Sequence, residues 1–475
     1  MHETKNIIQG NLKKVILKLS WPMMISNLLQ ATYNITDTFW VGRLGSYAIA
    51  AVTISFPLVF VMIAIAMGIG VGGSILIAHA AGKAFKTKKE KDKKHINLII
   101  SQTFILLFLA AIAVSFVGFL FTPKIVSLLT SEQQVFENAV IYMRTIFIGF
   151  SFMVIYYVFE AALRALGNTK TPMKFVFISV LINVILDPIL IFGLGPFPKM
   201  GVFGAALATV ISRAIVSLIA LYHLIKGTYG IKFELNFLKP KIKIIKDILK
   251  LGIPTTFEMG SMSVGAFMIT YLVGVLGTAT LAAFGIVTRL FSFFMIPSLA
   301  ISVAISTIVA QNYGAGNTKR VFNSLKESAK LGLQIIFFMS FFIFIFSRQI
   351  VSAFTADADV IYLGTLFLRI ISPFIILGFG RQVFIGFFRG IKRTDISMVI
   401  SIIHNFILRM GGAYVLAFVF NLKAIGIWWS YPLTMLLSLI ITYIIYLKIK
   451  KHIIKKKVDV EGIILESESE SEIVA

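Results

Sequence analysis

The sequence predicts an all-α polytopic membrane protein with twelve transmembrane helices in two parallel six-helix repeats. Three observations carry this. The 475 residues are 58% hydrophobic and 14% charged, with mean hydropathy +0.90; soluble domains are nearer 45–50% apolar and about 25% charged. Apolar runs long enough to cross a bilayer, such as Ile99–Phe121, recur along the whole length. Finally, Leu17–Gly82 aligns without a gap to Leu249–Gly314, with about 18 of roughly 66 positions identical. LKLSWP (17–22) answers LKLGIP (249–254), and VGRLGS (41–46) answers VGVLGT (273–278). Two copies of one bundle leave a natural cleft between them, a common transporter plan.

The expected spans of the first half are 19–41, 49–80, 96–121, 139–163, 172–195 and 201–225. Those of the second are 251–273, 281–311, 331–347, 361–388, 395–420 and 425–447. Pro57 and Pro297 predict bends in the long second and eighth spans. Short alternating segments of the kind a transmembrane barrel needs do not occur. The polar stretch Met1–Lys18 leads into a full-length span, so no cleavable signal is expected. The resulting organisation is an N-terminal segment (1–18), an N-lobe (19–225), a basic linker (226–250), a C-lobe (251–447) and a tail (448–475). The cytoplasmic tail, with its acidic run at 466–472, is expected to be disordered.

Net charge is +24. Nucleic acid is excluded as a partner because the basic residues fall in alternate loops. One set of loops, with the N-terminus, holds about 34 Lys and Arg and the other about five. That asymmetry places both termini in the cytoplasm of a multi-pass protein of the cell membrane. An even span count per half makes the repeats parallel. There is no cysteine, and the six His are scattered, so disulfide, thiolate and clustered-His metal chemistry are excluded. No nucleophile–base set suggests an enzyme. GIGVGG (68–73) lacks the Lys-Ser/Thr ending of a phosphate loop and reads as close helix packing.

Ionisable residues inside spans are costly and mark pathways. Asp37 falls about 28 Å along the first span and Asp187 about 20 Å along the fifth. Both thus sit in the outer half of the membrane, within one repeat. Asn183 precedes Asp187 by one turn, and Pro188 frees the Val184 carbonyl. Such an oxygen set suits a proton or Na⁺. The competing reading pairs each Asp with an Arg or a backbone group for packing alone. At the repeat offsets Asp37 faces Ile269, and Asp187 faces Arg409. The second half keeps the scaffold without the carboxylates, which confines the expected ion site to the N-lobe. Glu258 either lines the substrate cleft or snorkels from a helix end. Arg289 either faces the substrate cavity or pairs with acids or carbonyls. Glu160 and Arg164, four residues apart, are expected to pair.

Several longer motifs resemble the MATE (multidrug and toxic compound extrusion) transporters: LSWPMMISNLLQATYNITDTFWVGRLG (19–45), LRALGNTKTPM (163–173), NVILDPILIFGLGPFPKMGVFGAALAT (183–209) and VAQNYGAGN (309–317). The resemblance covers about Leu12–Lys450. It implies a V-shaped central cavity and cation-coupled export of organic, often cationic, compounds by alternating access. It also implies that Asp37, Asn183, Asp187 and Thr209 form the proton or Na⁺ site and that Tyr33 lines the cavity. The family's C-lobe acids are not matched: the tenth span carries Arg369 and Arg381 but no acid, and Glu258 is displaced by about one turn. The expected partners are small organic molecules and the bilayer, with no cofactor beyond H⁺ or Na⁺ and no obligate protein partner. The rival reading is a flippase for lipid-linked or polysaccharide precursors, from the same broad superfamily.

Overall fold

The computed structural model describes the backbone of residues 2–473 and, Leu235 aside, the side chains as far as Ile454. A short helix, α1 (His2–Gln9), precedes six long ones: α2 (Leu12–Gly42), α3 (Ser46–Thr87), α4 (Glu90–Ser127), α5 (Gln133–Ala165), α6 (Lys170–Phe192) and α7 (Gly201–Lys226). The second half begins with α8 (Ile242–Gly274), α9 (Thr278–Gly314) and α10 (Thr318–Ser352). Its tenth span is α11 (Ala358–Ile371) and α12 (Ile375–Gly390), joined by a 3-10 turn at Ser372–Phe374. The eleventh runs from α13 (Thr394–Ile402) through π-helical turns at Ile403–Gly411 and Val415–Val419, with the short α14 (Gly412–Tyr414) between them. The last is α15 (Lys423–Ile473). The acidic run at 466–472, for which disorder is expected, has side chains outside the described residues.

Ten of these stretches are long and apolar enough to cross a membrane. The remaining two long helices, α2 and α8, open the two repeats. They carry polar and charged residues, among them the buried Asp37 and Glu258, which lowers their hydropathy. Twelve spans result, in two six-helix lobes.

Local chemistry sets the helix ends. Asn11 caps α2 by accepting from the Lys14 amide at 3.2 Å, and Asn317 caps α10 by accepting from the Arg320 amide at 3.3 Å. Gly193 and Gly227 close α6 and α7 in the left-handed conformation. Several helices outrun the expected spans. α10 begins at Thr318 rather than 331, and α8 at Ile242, inside the expected linker. These extensions are Lys-rich turns that leave the hydrocarbon while keeping helical hydrogen bonding. A hydropathy reading registers the bilayer boundary, not the helix boundary. The rest of the linker is pinned by Gln102 of α4, which donates to the Phe237 carbonyl at 2.6 Å and accepts from the Lys241 amide at 2.7 Å.

Each lobe has its own apolar core, one built chiefly from α3, α4, α5 and α7, the other from α9, α10, α12 and α15. A smaller core, Ile7, Val15, Ile16 and Leu19 against Ala304 and Ile308, joins the lobes. The lobes meet at the end that carries the N-terminus and the basic loops. There Arg320 donates to the carbonyls of Ile7 (3.1 Å) and Gly10, Gln311 to the Ala165 carbonyl (2.6 Å), and His79 Nε2 lies 2.8 Å from the Gly390 carbonyl. The GIGVGG stretch packs on α8 as expected of small residues: a Cβ at Gly72 would lie 2.5 Å from the Ile248 carbonyl oxygen. A Cβ at Gly82 would lie 1.9 Å from the Gln311 carbonyl oxygen, and one at Gly314 2.2 Å from that of His79. From this seam the lobes diverge into a V.

Candidate coupling site and cavities

The acidic pair lies in the first lobe. α2 packs along α6 and brings Asp37 beside the Asn183–Asp187 turn. Asn183 and Asp187 are fully buried and Asp37 nearly so. Asn183 Nδ2 donates to Asp187 Oδ1 at 3.0 Å. Asp187 Oδ2, Asn183 Oδ1 and Asp37 Oδ1 are buried and accept no hydrogen bond from the protein. Buried polar atoms are normally paired, so three orphaned oxygens in one neighbourhood are an unmet demand for a proton or a cation. Among the described residues no Lys or Arg forms an ion pair with either Asp, contrary to the Arg-pairing form of the packing reading. No group of three or more His, Asp or Glu able to hold a metal occurs among the residues searched. A cation here would rest on two carboxylates supplemented by neutral oxygens.

The other expected members occupy the rim. Tyr33, one turn before Asp37 and buried, donates its hydroxyl hydrogen to Thr209 Oγ1 of α7 at 2.7 Å. Thr209 is therefore engaged with Tyr33 and keeps one lone pair for a further contact. Above the Tyr33 ring, 5.1 Å from its centroid, lies the Arg213 guanidinium, which also donates to Gln30 Oε1 at 2.7 Å. Neither Arg213 nor Gln30 is given a role by the sequence alone. The signal lay in helical spacing: Thr209 and Arg213 are four apart on α7, and Gln30 and Tyr33 three apart on α2.

Two expected cavity residues lie elsewhere. Glu258 is buried, does not snorkel, and is not among the residues lining the second lobe's cavity. It pairs with Arg389 of α12 at 2.9 Å and accepts from Ser401 of α13 at 3.4 Å. A buried carboxylate in the base of the second lobe takes the nearest guanidinium because the charge is costly alone. Arg289 is exposed on α9 and, among the described residues, forms no ion pair or side-chain hydrogen bond, so the pairing reading does not hold for it. Its neighbours Thr288 and Ser292 face the second lobe's cavity; Arg289 is not among the residues lining it. Glu160 and Arg164 pair at 3.3 Å, as their spacing predicts.

The second lobe holds a cavity of ≈ 470 Å³ between α8, α9, α11, α12, the π-helical turns and α15. Its wall is mostly aromatic and aliphatic, with Arg381, His404 and Arg409 as its ionisable groups.

Fold and sites together define a two-lobed membrane carrier, with a buried polar site in one lobe and an open cavity in the other. The MatE family model matches twice, at residues 22–189 and 254–415, once per repeat, and the chain belongs to that family. Its members are transporters, not enzymes. A probable multidrug resistance protein, YoeA of Bacillus subtilis (strain 168), is 30% identical over 430 residues, 89% of this chain and 90% of that protein. A solved outward-facing MATE family multidrug resistance transporter superposes with TM-score 0.86 at 27% identity, over 95% of this chain and 98% of that one. A MOP superfamily transporter from Pyrococcus furiosus, described as having a binding pocket of reverse polarity, gives TM-score 0.86 at 26% identity, over 94% and 97%.

Proposed function

We propose that the protein is a secondary antiporter of the cell membrane, exporting organic compounds, often cationic, in exchange for H⁺ or Na⁺ by alternating access. The observation that carries this reading is the buried Asp37/Asp187 pair with its orphaned oxygens and the Asn183 amide. A charge at this depth is expensive unless compensated. A proton or Na⁺ arriving there removes the cost and so changes which packing of α2 against α6 and α7 is favoured. The Tyr33–Thr209 bond links two of those helices and is positioned to feel the change.

The basic loops and both termini are assigned to the cytoplasm by charge asymmetry. On that assignment the seam closes the cytoplasmic side and the V opens outward, so the ion enters from outside as the substrate leaves. Multidrug resistance and export are the roles named for relatives such as YoeA, which supports small organic molecules as the cargo.

The test is efflux of a fluorescent organic cation from liposomes carrying the protein, under an imposed pH gradient and separately under a Na⁺ gradient. Flux driven by either gradient establishes antiport and identifies the ion. Flux under neither moves the weight to the precursor-flippase reading.

A further inference from the structure

We infer that the second-lobe cavity is a binding site for aromatic organic anions bearing a carboxylate or phosphate-like group. The argument starts from charge. Arg381, Arg389 and Arg409 surround this region, and Glu258 is the acid beside them. Glu258 is committed to Arg389. Among the described residues, Arg381 and Arg409 therefore line the cavity without a counter-ion, and the wall contains no Asp or Glu.

Both guanidiniums are poised rather than satisfied. Arg381 is only 7% exposed, and its Nε, like that of Arg409, is buried without a hydrogen-bond acceptor. The Arg409 guanidinium lies 4.7 Å from the centroid of Tyr431 and donates to His404 Nε2 at 3.1 Å. An imidazole nitrogen that accepts from a guanidinium is unprotonated. His404 is thus the neutral tautomer with its hydrogen on Nδ1, facing Ser438 Oγ at 3.0 Å. The imidazole orients Arg409 without neutralising it. Uncompensated buried charge is costly, and a planar fork of donors matches a carboxylate or phosphate.

The remainder of the wall selects an aromatic body. Phe284, Phe367 and Tyr431 stand beside the arginines, and Phe284 and Phe367 stack on the fully buried Trp428, Phe367 at 4.1 Å between centroids. A cavity of ≈ 470 Å³ accepts a fused-ring molecule with space to turn.

The repeat shows that this is a built feature. At the offset relating α6–α7 to the eleventh and twelfth spans, Asn183 corresponds to Asn405, Asp187 to Arg409 and Thr209 to Tyr431. The position that carries the buried acid in one lobe carries the buried base in the other. The coupling-ion site of the first lobe and the anion pocket of the second thus occupy equivalent positions of the two repeats.

Binding is independent of coupling, so its test stands apart from that of the antiport reading. Purified full-length protein would be titrated calorimetrically with 2-naphthoate, neutral 2-naphthamide and 2-naphthylmethylammonium. Naphthoate should bind at least about tenfold tighter than the amide, and any ammonium binding, which the antiport reading places outside this cavity, should be unchanged by loss of either cavity arginine. Arg381→Gln and Arg409→Gln should each weaken naphthoate about tenfold or more, and Arg348→Gln, a charge removed from the surface, should not. Naphthoate binding no tighter than naphthamide binding overturns the inference, and this comparison uses wild-type protein alone. Wild-type naphthoate affinity in both cavity variants, each verified as folded by its melting curve, overturns it as well.

Discussion

Glu258 of α8 and Arg389 of α12 form an ion pair 2.9 Å long, with 3% and 12% of their side chains exposed. It ties the first helix of the second repeat to the tenth span and removes the lobe's one nearby carboxylate from the cavity. Breaking a buried pair from one side leaves the other charge uncompensated, which costs about 3 kcal/mol. Glu258→Gln should therefore lower the melting temperature markedly, and Glu258→Gln with Arg389→Gln should recover most of the loss. A double variant no more stable than the single one would show that the pair does not hold the lobe.

Asp37→Asn and Asp187→Asn each replace a carboxylate with an amide of nearly the same shape. Each should abolish gradient-driven efflux while leaving the melting temperature equal to or above that of the wild type, because a buried charge is removed. Wild-type flux in both variants would sink the coupling mechanism.

Tyr33 and Thr209 can be separated from the carboxylates. Tyr33→Phe removes the donor of the 2.7 Å bond and should cost about 1 kcal/mol of stability. A double-mutant cycle with Thr209→Val should give a coupling energy of similar size. Additive effects would mean the two hydroxyls do not act together.

The inter-lobe seam depends on glycines. Gly82→Val would drive its side chain into the Gln311 carbonyl, and Gly314→Val into that of His79. Both are backbone groups that cannot swing aside. The chain has no cysteine, so cysteines introduced at Lys86 and Lys319 can be spin-labelled without background. The distance between labels should lengthen in either valine variant. An unchanged distance would show that the seam does not depend on this contact.

The charge and hydropathy patterns made the span count legible, and the repeat showed as self-similarity. The carboxylates stood out because an ionisable residue at membrane depth is conspicuous in any apolar run. The helix ends were less legible: α8 and α10 continue beyond the hydrocarbon, where hydropathy no longer reports helicity. The pairing of Glu258 was not legible for another reason. Its partner lies 131 positions away on α12, and no local pattern links the two.

By itself, the sequence determined the class of molecule, its two-fold repetition and the confinement of the acidic pair to one lobe. These follow from hydrophobicity, charge and self-similarity, which each short segment carries alone. Only the tertiary structure decided which end of the lobes is closed, which carboxylate is compensated and which guanidiniums are left unpaired around an aromatic cavity. Those are properties of through-space neighbours, and the energies that select them, desolvation and hydrogen-bond geometry, exist only once distant helices have packed.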